Sequence, residues 1–461
     1  MNHHFLLVCI PAQGHLNPTF RLAKRLILGG ARVTLATTIY GLSQIKSFPS
    51  LEGLTYASFS DGYDDGNYPR DNSQRYLAEQ KRVGSQSLPD LLETLSTQGR
   101  PITFIIYSLT QAWVATVARN LSIPSALLFS QSATVFAIFY HCFNSHTGSY
   151  DMESKSPPNT ITLQGLPIFT WKDLPSLILP NNIYWSFTPS IQEHIQTLEQ
   201  DPNPCVLINT FDALEEDAIK AVAVADHTNN INLITVGPLI PFDENTPSEK
   251  SSSSVDLFET SSDYIQWLNS KPDRSVVYVS FGSLAELQKN QMEEIYQGLI
   301  GSSWPFLWVI RSPRDGQEDL ADMMKNRVKE EEGLIVAWCS QVEVLNHRSI
   351  GCVVGHCGWN STVESLVAGV PVIAFPQFSD QITNSKMVEE VWRTGVRVKV
   401  NEENFVGKEE IKRLVEMVMG EERGEEMREN AKKWRKLALE AIKDGGSSEN
   451  NLKAFVKSLG S

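Results

Sequence analysis

Two α/β domains in tandem, each a doubly wound parallel sheet with helices on both faces, are what this sequence predicts. Three observations carry that reading. The chain has 461 residues, more than one hydrophobic core usually serves. Short β-branched or apolar runs alternate with amphipathic stretches, the rhythm of βαβ units. That rhythm runs twice, on either side of a segment rich in Pro, Ser and charge.

In the first half the strands are Phe5–Ile10, Arg32–Ala36, Ile102–Tyr107 and Ser125–Phe129, with helices expected near Pro18–Leu28 and over Trp113–Asn120. Val206–Asn209 and Leu233–Val236 follow as further strands. The segment PLIPFDENTPSEKSSSSVDLFETSSD has no apolar period and reads as a linker. Beyond it Ser275–Phe281, Phe306–Ile310, Leu334–Ala337, Gly351–Val354 and Val370–Phe375 are strands again. Glu425–Ile442 is strongly charged with apolar residues at helical spacing, a surface helix. Two such domains in tandem would face each other across a cleft, each offering the carboxyl ends of its strands, where open α/β sheets hold ligands.

Composition narrows the function. Apolar residues make up 41% and aromatics 9%, enough to build cores. The formal charge is 40 − 54 = −14 and no long Lys/Arg run is present, which argues against a nucleic-acid partner. Phe5–Ile10 is too short for a signal core or a membrane span. The six cysteines contain no C-x-x-C pair, so neither a zinc site nor a disulfide framework is expected, and reduced thiols fit a cytoplasmic location.

The chemistry concentrates in WCSQVEVLNHRSIGCVVGHCGWNSTVESLVAGVPVIAFPQFSDQ, Trp338 to Gln381. Gly351–Val354 is a strand, Gly355–Trp359 a turn, and Asn360, Ser361 and Thr362 are cap-type residues opening a helix to about Val367. A strand feeding a helix through a glycine turn makes an anion site, because the first helical N–H groups lack internal partners and lie at the positive end of the dipole. A diphosphate suits that site. His356 stands just before it as a donor, and Glu364, one turn beyond Asn360, is a carboxylate suited to ribose hydroxyls.

This stretch is similar, nearly position for position, to the signature box of the plant secondary-product UDP-glycosyltransferases of family 1, and the chain resembles that family end to end. The matching residues are Trp338, Gln341, the HCGWNS run His356–Ser361, Glu364, Pro376 and Asp380–Gln381. The resemblance implies a GT-B fold, an acceptor-binding domain at 1–237, a linker at 238–262, a donor domain at 263–440, and a segment at 441–461 returning to the first domain. It also implies that Trp338 stacks on uracil, whose edge the backbone of Cys339 reads. By the same likeness Gln341 and Glu364 hold the ribose, and His356, Asn360, Ser361 and Ser283 the diphosphate. Asp380 and Gln381 would bind glucose hydroxyls with Trp359 beneath the sugar, and a final Gln points to UDP-glucose as donor. No cofactor and no metal are implied.

IPAQGHLNP places His15 in the loop after the first strand, where an imidazole can take an acceptor proton, and it resembles the family's base. Most relatives orient that histidine with an Asp; here Ser108 stands in its place and cannot carry the charge. A carboxylic-acid acceptor, already ionised near neutrality, would tolerate the loss better than an alcohol. FSDGYDDG, LPSLILP, NTFDALE and WLNSKP resemble a subgroup containing both anthocyanin 5-O-glucosyltransferases and ester-forming glucosyltransferases, so ester and glycoside both stay open.

The expectation is therefore an inverting hexosyltransferase. It would act as a monomer, moving glucose from UDP-glucose to a hydroxyl or carboxyl of a phenolic, flavonoid, hormone or apocarotenoid acceptor. Phe136, Phe139, Tyr140, Phe143 and Trp185 are candidates for lining the acceptor pocket or for plain core packing, and Ser130 for the sugar 6-hydroxyl. A UDP-sugar sensor without activity is the competing class. A dehydrogenase lacks its G-x-G-x-x-G turn here, and a P-loop enzyme its GxxxxGK[ST].

Overall fold

The structure is a computed structural model, and it describes residues 3–46, 48–69, 72–144, 160–179, 185–225, 231–241, 263–285, 287–311, 320–401, 403, 405–420 and 422–460. The chain forms two compact units: unit 1 comprises Met1–Leu257 with Glu440–Ser461, and unit 2 comprises Phe258–Leu439. Most of the expected linker, 242–262, lies outside the described residues.

Unit 1 runs β1 (His4–Val8), α1 (Gln13–Leu28), β2 (Arg32–Thr38), α2 (Ile39–Gln44), β3 (Leu54–Phe59), α3 (Ser73–Thr97), β4 (Phe104–Ser108), α4 (Trp113–Asn120), β5 (Ser125–Phe129) and α5 (Ala133–Phe143). A two-stranded hairpin, β6 (Thr160–Ile161) and β7 (Phe169–Thr170), leads to α6 (Thr188–Glu199), β8 (Cys205–Ile208), α7 (Asp212–Ala225) and β9 (Asn232–Thr235). The main sheet has the order β3-β2-β1-β4-β5-β8-β9, every pair parallel. Its central strands β1 and β4 are buried along their whole length, which is why β1 reads as a continuous apolar run rather than an alternating one.

Unit 2 runs α8 (Tyr264–Asn269), β10 (Val276–Ser280), α9 (Lys289–Ser302), β11 (Phe306–Val309), α10 (Leu320–Lys325), β12 (Gly333–Val336), α11 (Gln341–Leu345), β13 (Ile350–Gly355) and α12 (Trp359–Ala368). Then come β14 (Val372–Ala374), α13 (Gln381–Lys386), β15 (Gly395–Arg397), α14 (Lys408–Gly420) and α15 (Glu422–Ile442). Its sheet order is β12-β11-β10-β13-β14-β15, also all parallel. One core packs β10, β11 and β13 against α9 and α14 through Val277, Val279, Ile295, Leu299, Leu414 and Val418.

Both sheets follow the doubly wound order in which the first and fourth strands lie side by side. In such a sheet the chain leaves those two strands toward opposite faces, opening a crevice at their carboxyl ends. The segments that emerge there are the ones after β1 and β4 in unit 1, and after β10 and β13 in unit 2. The last helix, α16 (Ser447–Ser458), belongs to unit 1. Phe455 lies edge-on to Phe104 at 5.3 Å, Glu449 pairs with Arg25 at 2.9 Å, and Asn451 Nδ2 donates to Thr235 Oγ1 at 2.8 Å.

Candidate active site

In unit 2 the crevice at β10 and β13 is built around the start of α12. The helix begins at Trp359 with Gly358 as its cap, so Asn360, Ser361 and Thr362 are not cap residues but occupy the first turns. Thr362 N–H already returns to the Gly358 carbonyl at 3.0 Å, which makes Gly358 the entry point. The preceding turn is tight, with Cys357 at φ +58°.

His356 fills the space between two glycines: a Cβ on Gly282 or on Gly358 would stand 2.6 Å from its Nε2. Its Nδ1 is buried without a hydrogen-bond partner among the described residues. Burial lowers the imidazole to about 4, partly offset by the Ser280 carbonyl, so the unliganded ring is neutral at pH 7. Ser283 lies half-buried in the turn after β10.

Three of the expected residues are joined directly. Gln341, first residue of α11, donates from Nε2 to Ser361 Oγ at 2.8 Å and to Glu364 Oε2 at 2.6 Å. Trp338, half-buried, and Cys339, 4% exposed, precede it in the segment leaving β12. Burial pushes the Cys339 thiol up to about 12, so it is neither thiolate nor nucleophile.

Asp380 and Gln381 are placed differently. The Asp380 carboxylate accepts from Asn384 Nδ2 at 2.7 Å and from the backbone N–H of Trp359, the first residue of α12. Burial raises it to about 6, against those donors. Gln381 Oε1 accepts the backbone N–H groups of Gln377 at 2.8 Å and Phe378 at 3.1 Å. The Trp359 ring is 3% exposed and packs on Trp392 at 5.9 Å.

Sequence reasoning missed two members of this group. Asn384, one helical turn after Asp380, also donates to the Cys357 carbonyl at 3.0 Å and ties the tight turn to α13. Its i, i+4 spacing from Asp380 was the available signal. Tyr278 of β10 donates from its hydroxyl to Gln341 Oε1 at 3.3 Å. Nothing in the run VVYVS marks that tyrosine apart from a core residue.

In unit 1, α1 starts at Gln13, so His15 is in the first helical turn rather than in a loop. Pro18 did not delay the helix, because the donor it lacks would return to solvent-exposed Gly14. The His15 ring is half-buried, but its Nδ1 is sealed from water and has no hydrogen-bond partner among the described residues. Burial lowers it to about 4. Ser108 ends β4 and directs its hydroxyl to Gln111 Oε1 at 3.3 Å. Ser130, 6% exposed, follows β5. Phe136, Phe139, Tyr140 and Phe143 are all at most 6% exposed, the packing alternative; Phe136 meets Phe129 edge-on at 5.1 Å. The Trp185 side chain lies outside the described residues.

Comparison with known proteins adds an independent line. Residues 255–437 match the family model described as UDP-glucoronosyl and UDP-glucosyl transferase. The chain is 49% identical to a chloroplastic crocetin glucosyltransferase of Gardenia jasminoides, over 99% of this chain and 97% of that one. It is likewise 49% identical to a phloretin 4'-O-glucosyltransferase of Malus domestica, over 100% and 98%. Among solved structures it resembles Os79 from O. sativa in complex with UDP, at a TM-score of 0.85 and 31% identity, covering 98% of this chain and 100% of that one.

Proposed function

The chain belongs to the plant family-1 UDP-glycosyltransferases, enzymes of the GT-B fold class, and from that premise we propose that it transfers glucose from UDP-glucose, with inversion, to an oxygen of a small aromatic or terpenoid acceptor. The observation that carries this reading is the Gln341–Ser361–Glu364 group at the first turns of α12, with His356 set beside it.

Glu364 and Gln341 take the ribose hydroxyls, and Trp338 the uracil, with the Cys339 backbone at its edge. The diphosphate lies at the entrance of α12, held by His356, Asn360, Ser361 and Ser283. There the helix dipole and the ring stabilise the negative charge that grows on UDP as the glycosidic bond breaks. Asp380 and Gln381 meet glucose hydroxyls, and the buried Trp359 supports them from behind through its backbone. No metal or other cofactor enters this scheme, so EDTA is expected to leave turnover unchanged.

His15 is the base. Being neutral at pH 7 it can accept the acceptor proton, but with no carboxylate at Nδ1 among the described residues the resulting imidazolium gains little. An acceptor already ionised near neutrality loses least from this. The carboxylate reading is therefore preferred, and a phenolic hydroxyl is the second reading, favoured by the phloretin relative. Incubation with UDP-glucose and mixed acids and phenols, followed by mild alkali, tests both. An alkali-labile product marks an ester, an alkali-stable one a glycoside, and no product with UDP-glucose still bound would make the chain a sensor.

No helix of the described residues is long and apolar enough to cross a membrane. We place the enzyme in the cytoplasm as a monomer, which fractionation and light scattering can check.

A further inference from the structure

Tyr278 occupies the middle of β10 with 1% of its surface exposed. Strand alternation sends Val277 and Val279 into the core with α9 and α14, and Tyr278 to the other face. There its hydroxyl meets Gln341 Oε1 at 3.3 Å and Cys339 Sγ at 3.6 Å. A phenol in so apolar a strand needs partners for its hydroxyl, and beside Ser280 and Cys339 it finds one in Gln341 of the site.

The hydrogen bonds form a directed chain. Glu364 Oε2 lies 2.6 Å from Gln341, and a carboxylate only accepts, so the amide must turn its NH2 toward Glu364 and Ser361. The amide oxygen then faces the strand, and the Tyr278 hydroxyl must be its donor. Rotating the amide would set its oxygen against the carboxylate and its NH2 against the phenol. Burial also holds the phenol well above its usual range, so it keeps its proton as a donor.

We propose that Tyr278 is a positioning residue for the nucleotide sugar: its hydroxyl holds the Gln341 amide in the one orientation that joins Ser361 to Glu364. The proposal rests on the reading of that group as the ribose and diphosphate site. It requires no contact between Tyr278 and the ligand.

Tyr278→Phe removes one oxygen and keeps the ring that fills the strand. It is expected to raise the KM for UDP-glucose and the Kd for UDP about two- to tenfold, the worth of one neutral hydrogen bond, while kcat changes less than twofold. Gln341→Ala should raise both constants, and adding Tyr278→Phe to it should change neither further, because the group through which the phenol acts is gone. An unchanged KM in Tyr278→Phe beside a raised one in Gln341→Ala overturns the proposal alone. So does an equal effect of Tyr278→Phe in both backgrounds, or a lowered Tm with unaltered UDP affinity. No effect of Gln341→Ala on UDP binding would overturn the nucleotide reading as well.

Discussion

His356 sits where two backbones leave no room for a methyl group: a Cβ at residue 282 or 358 would meet its Nε2 at 2.6 Å. Gly282 is doubly constrained, since its φ of +76° strains any L-residue. Gly358→Ala must push the ring aside, and we expect at least a tenfold weaker UDP-glucose affinity, measurable by calorimetry. His356→Ala should depress turnover strongly by removing a donor from the departing diphosphate. The free ring is neutral because burial lowers it to about 4, but a bound diphosphate supplies the opposite charge and raises it again. UDP-glucose binding at pH 6.5 should therefore take up protons, seen as a buffer-dependent binding enthalpy, and His356→Gln should abolish that uptake. UDP-glucose is the ligand of choice because its diphosphate has no group titrating near neutrality.

At the scale of elements, α5 starts with an unusual cap. Besides Ser132, whose hydroxyl accepts from Val135 N–H, the carboxylate of Glu215 accepts from Ala133 N–H, Thr134 N–H and Thr134 Oγ1 at 2.8 to 2.9 Å. Glu215 comes from the start of α7, where its φ of −136° breaks the helix and lets the side chain reach across. Its burial raises the carboxyl, against the donors at the start of α5. Glu215→Ala would strand those donors in the interior, so we expect a loss of about 2–4 kcal/mol in unfolding free energy by urea titration. Because α5 continues the Ser130 segment after β5, the same change should also lower activity. The Asp380–Trp359 N–H contact does the same work for α12, with Asn384 as brace.

For the whole molecule, the imidazoles that burial depresses furthest, those of His194, His15 and His356, set the acid limit. His194 is 2% exposed, neither ring nitrogen has a partner among the described residues, and its ring stacks on Tyr107 at 6.0 Å. Burial lowers it to about 3, and His15 and His356 to about 4, from 6.5. The native state thus binds fewer protons than the unfolded one, so stability is present above about pH 6.5 and falls as the pH drops toward 4. Asp380, raised to about 6 from 3.8, acts in the opposite sense, its contribution being lost as the pH rises through 6, and so do the buried carboxyls of Glu215 and Asp61, while burial lowers His4, His141 and His347 alongside the three. Urea midpoints should fall between pH 7 and 4.5. His194→Phe, which can keep the stacking, should flatten that fall.

Most strand positions, the two α/β units and the strand–glycine–helix turn before α12 were legible in the chain, because buried parallel strands and such a turn are local patterns written in consecutive residues; β3, β15 and the β6–β7 hairpin were not anticipated. Long α3 was not anticipated, its stretch of Gln, Ser and charged residues giving a weak apolar stripe around Pro89. The sequence also named His15 and the gap at Ser108. What only the tertiary structure decided are pairings between residues far apart in the chain: Tyr278 with Gln341, Asp380 with the start of α12, and Glu215 with α5. Orphaned nitrogens on His15 and His194 belong to the same class. Each depends on which groups burial leaves facing one another, and burial is a property of packed elements that no stretch of consecutive residues contains.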